Sequence, residues 1–292
     1  IALMGPSAME KKYDGLNSIT TALDWSEFPA DQLRQLLDKE GVGLDVQKTP
    51  LDSHNIEDFT KNTPLGPLPA PASDGTTPFQ AFKRPYIPVS AAISVPKISI
   101  LVMDYCMSEE MSSLILARLP SPVSLVLNPY CDKPKKAADK ARDLGHEVWL
   151  GMPMETEKYP LEDLGPKALF IKSSKQTNVK TAKKVMASAY KYAGIVSMFN
   201  PVFTRSDKDF TPVLELIDKS GLGYIDTNLA PPAYIESFSK SADIPYTYTH
   251  VHIDTKLTAY SIRLRLAELK RIARQHGRAV GVIHANPLSI EQ

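Results

Sequence analysis

The hydrophobic pattern changes character at residue 98. From there on, short apolar runs recur, separated by polar stretches with helical periodicity. The runs are "ISILVMD" (98–104), "VSLVLNP" (123–129), "EVWLGMPM" (147–154), "ALFIK" (168–172), "AGIVSMF" (193–199), "GYIDT" (223–227), "THVHID" (249–254) and "AVGVIHA" (279–285). Runs this short and this continuously apolar predict buried parallel strands. Between them, "KKAADKARDLG", "NVKTAKKVMASAYKYA", "FTPVLELIDKSG" and "LTAYSIRLRLAELKRIARQHG" predict helices. The last keeps its apolar residues on one face, and Gly277 follows as a stop signal. Seven or eight strand–helix units predict a parallel α/β fold, a barrel rather than a dinucleotide-binding sheet. Neither a GxGxxG nor a Walker sequence occurs, which argues against a nucleotide as cofactor or partner.

Upstream the pattern is different. Residues 1–62 are polar and mixed, with one amphipathic stretch, "DWSEFPADQLRQLLDKEG" (24–41). Pro29 starts a predicted helix there, with Leu33, Leu36 and Leu37 as its apolar stripe and Gly41 near its end. Residues 63–97 hold eight prolines, a density that argues against regular helix and predicts an extended linker or arm. Phe79, Phe82 and Tyr86 predict that its second half packs on something. The expected division is an N-terminal extension (1–62), a proline-rich arm (63–96) and the barrel (97–292).

Composition narrows the partners. Of 292 residues 43% are hydrophobic, enough for a substantial core, and 34 Lys+Arg nearly cancel 33 Asp+Glu. That balance gives no basic surface for nucleic acid. No run of about 18 apolar residues occurs, as a membrane-spanning helix would need. The chain begins with Ile, and "IALMGPSAM" lacks a charged leader region. The expectation is a mature or trimmed form whose signal or anchor lies outside this sequence. Two cysteines, Cys106 and Cys131, each follow a predicted strand end. Two separate thiols are the default reading, and a disulfide across the barrel mouth is the alternative.

The order of segments then carries a resemblance. "ISILVMDYCMS" (98–108), "LPSPVSLVLNPY" (119–130), "GHEVWLGMPMETE" (145–157) and "LGPKAL" (164–169) come in sequence. "FTRSDKDFTPVLELIDKSGLGYIDT" (203–227) and "GRAVGVIHANP" (277–287) follow. Over roughly residues 97–289 this series resembles the divergent polysaccharide deacetylase family. The resemblance implies a distorted parallel β/α barrel of the glycoside hydrolase/deacetylase type, a bacterial envelope or periplasmic setting and a polysaccharide-related role. For active members of the wider group it implies two consecutive aspartates ending the first strand. One is a general base, and the other joins two histidines in holding a divalent metal such as zinc. Such a metal polarises the acetamide carbonyl and lowers the pKa of its bound water, whose proton the base accepts. Here the pair reads Met103-Asp104, and a thioether accepts no proton at useful pH. Gly151 stands where the pattern has a histidine before Leu-Pro-Met-Glu, and Met198 stands opposite the second histidine. Asp226 and His284 match polar positions of the family.

The candidates follow from these positions. Asp104 ends the first strand, where ligands collect in α/β folds, and is read as a vestigial ligand or substrate hydrogen-bonder. The bland alternative is a cap on the turn leading to Ser108. His284, Asp226 and Glu155 are candidate substrate contacts, as are Tyr105 and Tyr130, whose rings could stack on a sugar; Phe199 and Phe203 belong to the same inferred face. His250 and His252 share a face if "THVHID" is one strand, with Asp254 on the same face as a third ligand, so Asp104, His250, His252 and Asp254 are the metal candidates if any metal binds. Met103, Met152, Met154 and Met198 crowd the same region as fillers. No cofactor is expected under the leading reading, an inactive relative that binds a cell-wall glycan or a peptidoglycan-remodelling protein. The alternatives are an active metal-dependent deacetylase with a rebuilt site using Asp104 and His284, and an interaction scaffold without glycan affinity.

Overall fold

The computed structural model describes residues 48–51, 54–85, 96–198 and 201–292. The helix expected near 29–41, Tyr86 and Phe199 lie outside the described residues. After a 3-10 turn at Ile56–Phe59 come an antiparallel hairpin, β1 (Thr60–Thr63) and β2 (Gly66–Pro69), and a short helix, α1 (Pro78–Phe82). The arm is therefore not simply extended. Pro67 and Pro69 alternate with Gly66 and Leu68, so the residues lacking an N–H share one side of β2. Pro78 occupies the first turn of α1, where its missing N–H costs nothing, and Thr77 and Gln80 close a capping box. As expected, Phe79 and Phe82 pack inward, Phe79 edge-on to Trp149 at 6.3 Å and Phe82 on Phe59 at 5.4 Å.

Eight parallel strands follow: β3 (Lys97–Tyr105), β4 (Ser124–Leu127), β5 (Val148–Met152), β6 (Gly194–Ser197), β7 (Gly223–Asp226), β8 (Tyr246–Tyr248), β9 (Val251–His252) and β10 (Arg278–His284). The helices around them are α2 (Glu109–Arg118), α3 (Pro134–Asp143), α4 (Lys175–Met186), α5 (Asp207–Lys219), α6 (Ala233–Ser241), α7 (Ala259–His276) and α8 (Pro287–Glu291). Serine or threonine caps α2, α4 and α7: Ser108, Ser174 and Thr258 each accept a backbone N–H. Gly277, at φ 77°, ends α7 as the sequence predicts.

The sheet order is β8-β7-β6-β5-β4-β3-β10-β9. Its two ends are one run of chain. Thr249 N donates to Asp226 O of β7, and the next residue, His250, donates to Val280 O of β10, both at 2.8 Å. The sheet thus closes into the expected barrel.

Side chains alternate between two cores. Leu101, Met103, Val126, Trp149, Val196 and Val282 fill the barrel interior. Val102, Leu125, Leu127, Leu150 and Ile195 face the helices. The interior is packed rather than hollow. Its widest filler, Trp149, lies over Gly194 and Gly223, which are paired neighbours on β6 and β7.

Two elements depart from the hydrophobic pattern. "ALFIK" (168–172) is not a strand and makes only an isolated bridge between Leu169 and Met154. Ser174 already caps α4, leaving too little chain for a ladder. Helix α6 was not legible as an amphipathic segment, although Ile235 and Ser239 are buried on one side of it.

The interior packing yields a test. A Cβ at Gly194 falls on the Gly223 carbonyl oxygen and the Trp149 ring, whereas a Cβ at Gly277 meets nothing within 4 Å. Gly277→Ala should cost about 1–2 kcal/mol for the left-handed backbone alone. Gly194→Ala should cost roughly 3 kcal/mol or more, because backbone must move. Urea unfolding midpoints at unchanged slope measure both, and equal losses would contradict the packing described.

Candidate functional site

At the C-terminal ends of β3, β4, β9 and β10 the apolar interior gives way to a small polar group. Asp104 ends β3 with φ 62°, and its Oδ1 accepts a hydrogen bond of 2.8 Å from Asn128 Nδ2. Asn128 follows β4, donates its N–H to Tyr105 O at 3.1 Å, and accepts from Tyr130 N. The loops are also joined covalently: Cys106 and Cys131 form a disulfide, with Cα atoms 5.5 Å apart. This corrects the default of two separate thiols. Cys106, at φ 82°, is the second left-handed non-glycine in three residues. The clamp holds a backbone that the sequence alone would not favour.

His284, at the end of β10, faces this group. Its Nδ1 lies 3.0 Å from Asp254 Oδ1, and its backbone N–H donates to Asp254 Oδ2 at 2.6 Å. Ser289 of α8 donates to the same Oδ2 at 2.8 Å. The Asp254 side chain is 1% exposed and that of His284 is 49% exposed. Burial works against the Asp254 charge, but bonds from His284 and Ser289 outweigh it and hold the carboxyl below its usual range. Hydrogen bonding to Asp254 lifts His284 above its ordinary value against the effect of burial, and the charge of Asp104 adds to the lift. With Nδ1 committed to Asp254, Nε2 is left to meet a ligand. Below its raised pKa the His284 ring donates from Nε2, and with the Asp104 oxygens as acceptors the pair suits hydroxyl and carbonyl oxygens.

The other candidates lie elsewhere. Asp226 is fully buried; its Oδ1 accepts from Asn228 N and Nδ2 at 2.9 Å and from Ser197 Oγ at 3.3 Å, and burial raises its pKa. It organises the 226–228 turn and does not open onto the mouth, so it is not a substrate contact. The Glu155 carboxylate accepts from Ile171 N at 2.8 Å, and its backbone O accepts from Val202 and Phe203. That tethers two loops. Tyr105 is 1% exposed, with its hydroxyl donating to Ala137 O under α3. Simple alternation would put it inside with Met103, but the ladder to β4 shifts register between Val102 and Tyr105 and turns it outward. It is not a stacking platform, and neither is Phe203, buried against Phe210. Tyr130 donates to Leu164 O and accepts from Lys167 N, pinning the 164–167 loop near the rim.

The metal candidates do not converge. Among the described residues, no group of three His, Cys, Asp or Glu side chains is placed to hold a metal ion. His250 stacks on Tyr248 at 4.8 Å, His252 Nε2 binds Thr227 O at 2.7 Å, and Asp254 is taken by His284. The segment changes partner strand at 249–250, so it does not present one straight face. The family's metal position does not fit either. A Cβ on Gly151 would stand 2.5 Å from Met198 Sδ. Met103 and Met198, 3% and 1% exposed, belong to the interior core. Apolar packing occupies the place where imidazoles would stand.

Sequence reasoning found Asp104 and His284 but missed two partners. Asn128 had a signal, a polar residue closing the apolar run "VSLVLNP". Ser289 had none, and the Asp254–His284 pairing spans 30 residues.

Comparisons with known proteins bear on the family and the fold. Residues 100–292 match the profile of the family described as divergent polysaccharide deacetylase. The uncharacterized protein YibQ of Escherichia coli (strain K12) is 20% identical over 203 residues, 69% of this chain and 62% of its own length. The chain thus spans under two thirds of that relative. The crystal structure of uncharacterized protein ATU2773 from Agrobacterium tumefaciens C58 superposes with a TM-score of 0.71 at 28% identity, covering 77% of this chain and 90% of that one. The chain belongs to the divergent polysaccharide deacetylase family.

Proposed function

We propose that this domain is a non-catalytic member of its family, working in the bacterial envelope, and that its barrel mouth binds a cell-wall glycan. The observation that carries the reading is the contact between Gly151 and Met198: the sulfur fills the volume where the family pattern places imidazole ligands. With Met103 at the base position, the chain keeps neither a proton acceptor there nor three ligands, the usual protein complement of a catalytic zinc. The remaining mouth recognises oxygen rather than activating water. His284 donates from Nε2, Asp254 fixes its ring, and Asp104, steadied by Asn128, accepts a sugar hydroxyl. A peptidoglycan-remodelling protein docking at the same mouth is the neighbouring reading. The oriented Asp254–His284 pair is what favours the rival, an active metal-dependent deacetylase, because such a pair can shuttle a proton.

Elemental analysis after exposure to zinc and gentle desalting separates these readings. The expected result is well under one equivalent retained. Near one equivalent, lost in Asp104→Ala, would revive the hydrolase. The triple variant Met103→Asp, Gly151→His, Met198→His should gain zinc retention, since it removes the sulfur and restores the ligands together.

The mouth also predicts a titration. By NMR, His284 should titrate above the ordinary histidine value of about 6.5, and Asp254→Asn should bring it down. The sign follows from linkage: stability from the raised His284 is fully present below its unfolded pKa and is lost as pH rises through its folded one. The lowered Asp254 contributes above its own unfolded pKa, and this part is lost as pH falls through the folded value. The pair should therefore stabilise most between these ranges. Chitin-oligomer or peptidoglycan-fragment binding should weaken as pH rises through the His284 transition, and Asp104→Ala should weaken it by about tenfold, the loss of one charged hydrogen bond. Unchanged binding in that variant would move the ligand away from the mouth.

A further inference from the structure

Every barrel strand except one has a helix packed outside it before the next strand begins. Strands β8 and β9 are separated by two residues, so no helix of their own covers them. The space between α6 and α7 is left as a groove of about 700 Å³, within the range of small-ligand sites.

Three features of that groove point to a ligand. Its floor is aromatic: Tyr246 and Tyr248 line it, and His250 stacks on Tyr248 at 4.8 Å with ring planes 16° apart. Its walls carry excess positive charge. Lys240 and Glu236 neutralise each other in a 2.7 Å ion pair. Arg271 and Arg278 then face one lining carboxylate, Asp243, and Arg271 spends one N–H on the neutral Gln275. Burial, followed by the charge of Arg278, holds His250 below its ordinary pKa. Finally, two lining hydroxyls, Ser239 Oγ and Tyr246 Oη, are buried with no hydrogen-bond partner among the described residues. Ser239 is only 2% exposed. Buried unpaired hydroxyls are costly and call for a partner from outside the chain.

We propose that the groove between α6 and α7 is a second binding site, separate from the mouth, for an acidic saccharide whose ring lies on the Tyr248–His250 floor and whose carboxylate meets Arg271 and Arg278. Aromatic rings offer a flat apolar surface to sugar C–H faces, and the guanidinium fork matches a carboxylate. Tyr246 and Ser239 complete the set by bonding ring hydroxyls.

The test uses the full chain and a matched pair of sugars, N-acetylmuramic acid and N-acetylglucosamine, which differ by the lactyl carboxylate, with inorganic phosphate as the anion control. Calorimetric or ligand-observed NMR titration should show the acidic sugar binding about tenfold tighter than the neutral one, the contribution of one charge-assisted contact. The double variant Arg271→Gln, Arg278→Gln, exposed positions whose replacement leaves both cores intact, should abolish that preference while the His284 titration stays unchanged. His284→Gln should leave the preference in place. Equal affinity for the two sugars would overturn the proposal, as would failure of both to bind. Loss of the preference in His284→Gln but not in the arginine variant would assign binding to the mouth instead. Phosphate competing as well as the acidic sugar would reduce the groove to an adventitious anion site only.

Discussion

The closure of the sheet rests on one short stretch of chain that serves two strands at once. Thr249 bonds β7 and His250 bonds β10, so the polypeptide between them has no edge to spare and no room for a helix. An open parallel sheet would expose unpaired backbone at both ends. The β3–β10 ladder sets His284 beside Asp104, and the switch of partner carries the chain onto β10 so that Asp254 lies beneath His284. The same switch leaves no room for a helix between β8 and β9, and so leaves the groove outside them uncovered.

Within the closed barrel, charge is confined to where it can be answered. The interior is apolar from Trp149 at one end to Met103 and Met198 near the other. Asp254 stays ionised in burial because three donor groups converge on it. Asp226 also receives three bonds, but all on Oδ1, and its buried Oδ2 has no partner among the described residues; burial raises its pKa. The two buried carboxyls thus shift in opposite directions for a local reason, whether both oxygens are bonded and whether a histidine is among the donors. Only one of them supports a polar group that reaches solvent.

Much of this was legible in the sequence. The longer strands announce themselves as apolar runs, and Asp104 and His284 stand out because each terminates one. What the hydrophobic pattern could not carry was anything set by a local break in regularity. Tyr105 follows Met103 by two residues, and period-two reasoning assigns them to the same face; the register shift after Val102 separates them. "THVHID" reads as one strand, yet it divides its bonds between two neighbours and scatters its histidines. Proline density argued against structure in the arm, but proline at a helix start or alternating along a hairpin is compatible with both. The Asp254–His284 pairing joins residues far apart in sequence, a contact set by the β9–β10 ladder.

The Gly151–Met198 contact has a consequence for substitution. Any side chain at 151 collides with the sulfur while Met198 remains, and shortening Met198 first opens a void in a fully packed interior, at a cost of about 2–5 kcal/mol for a truncation to alanine. The two positions are therefore coupled: a change at one is felt through the other, and a side chain is accommodated at 151 only as Met198 yields.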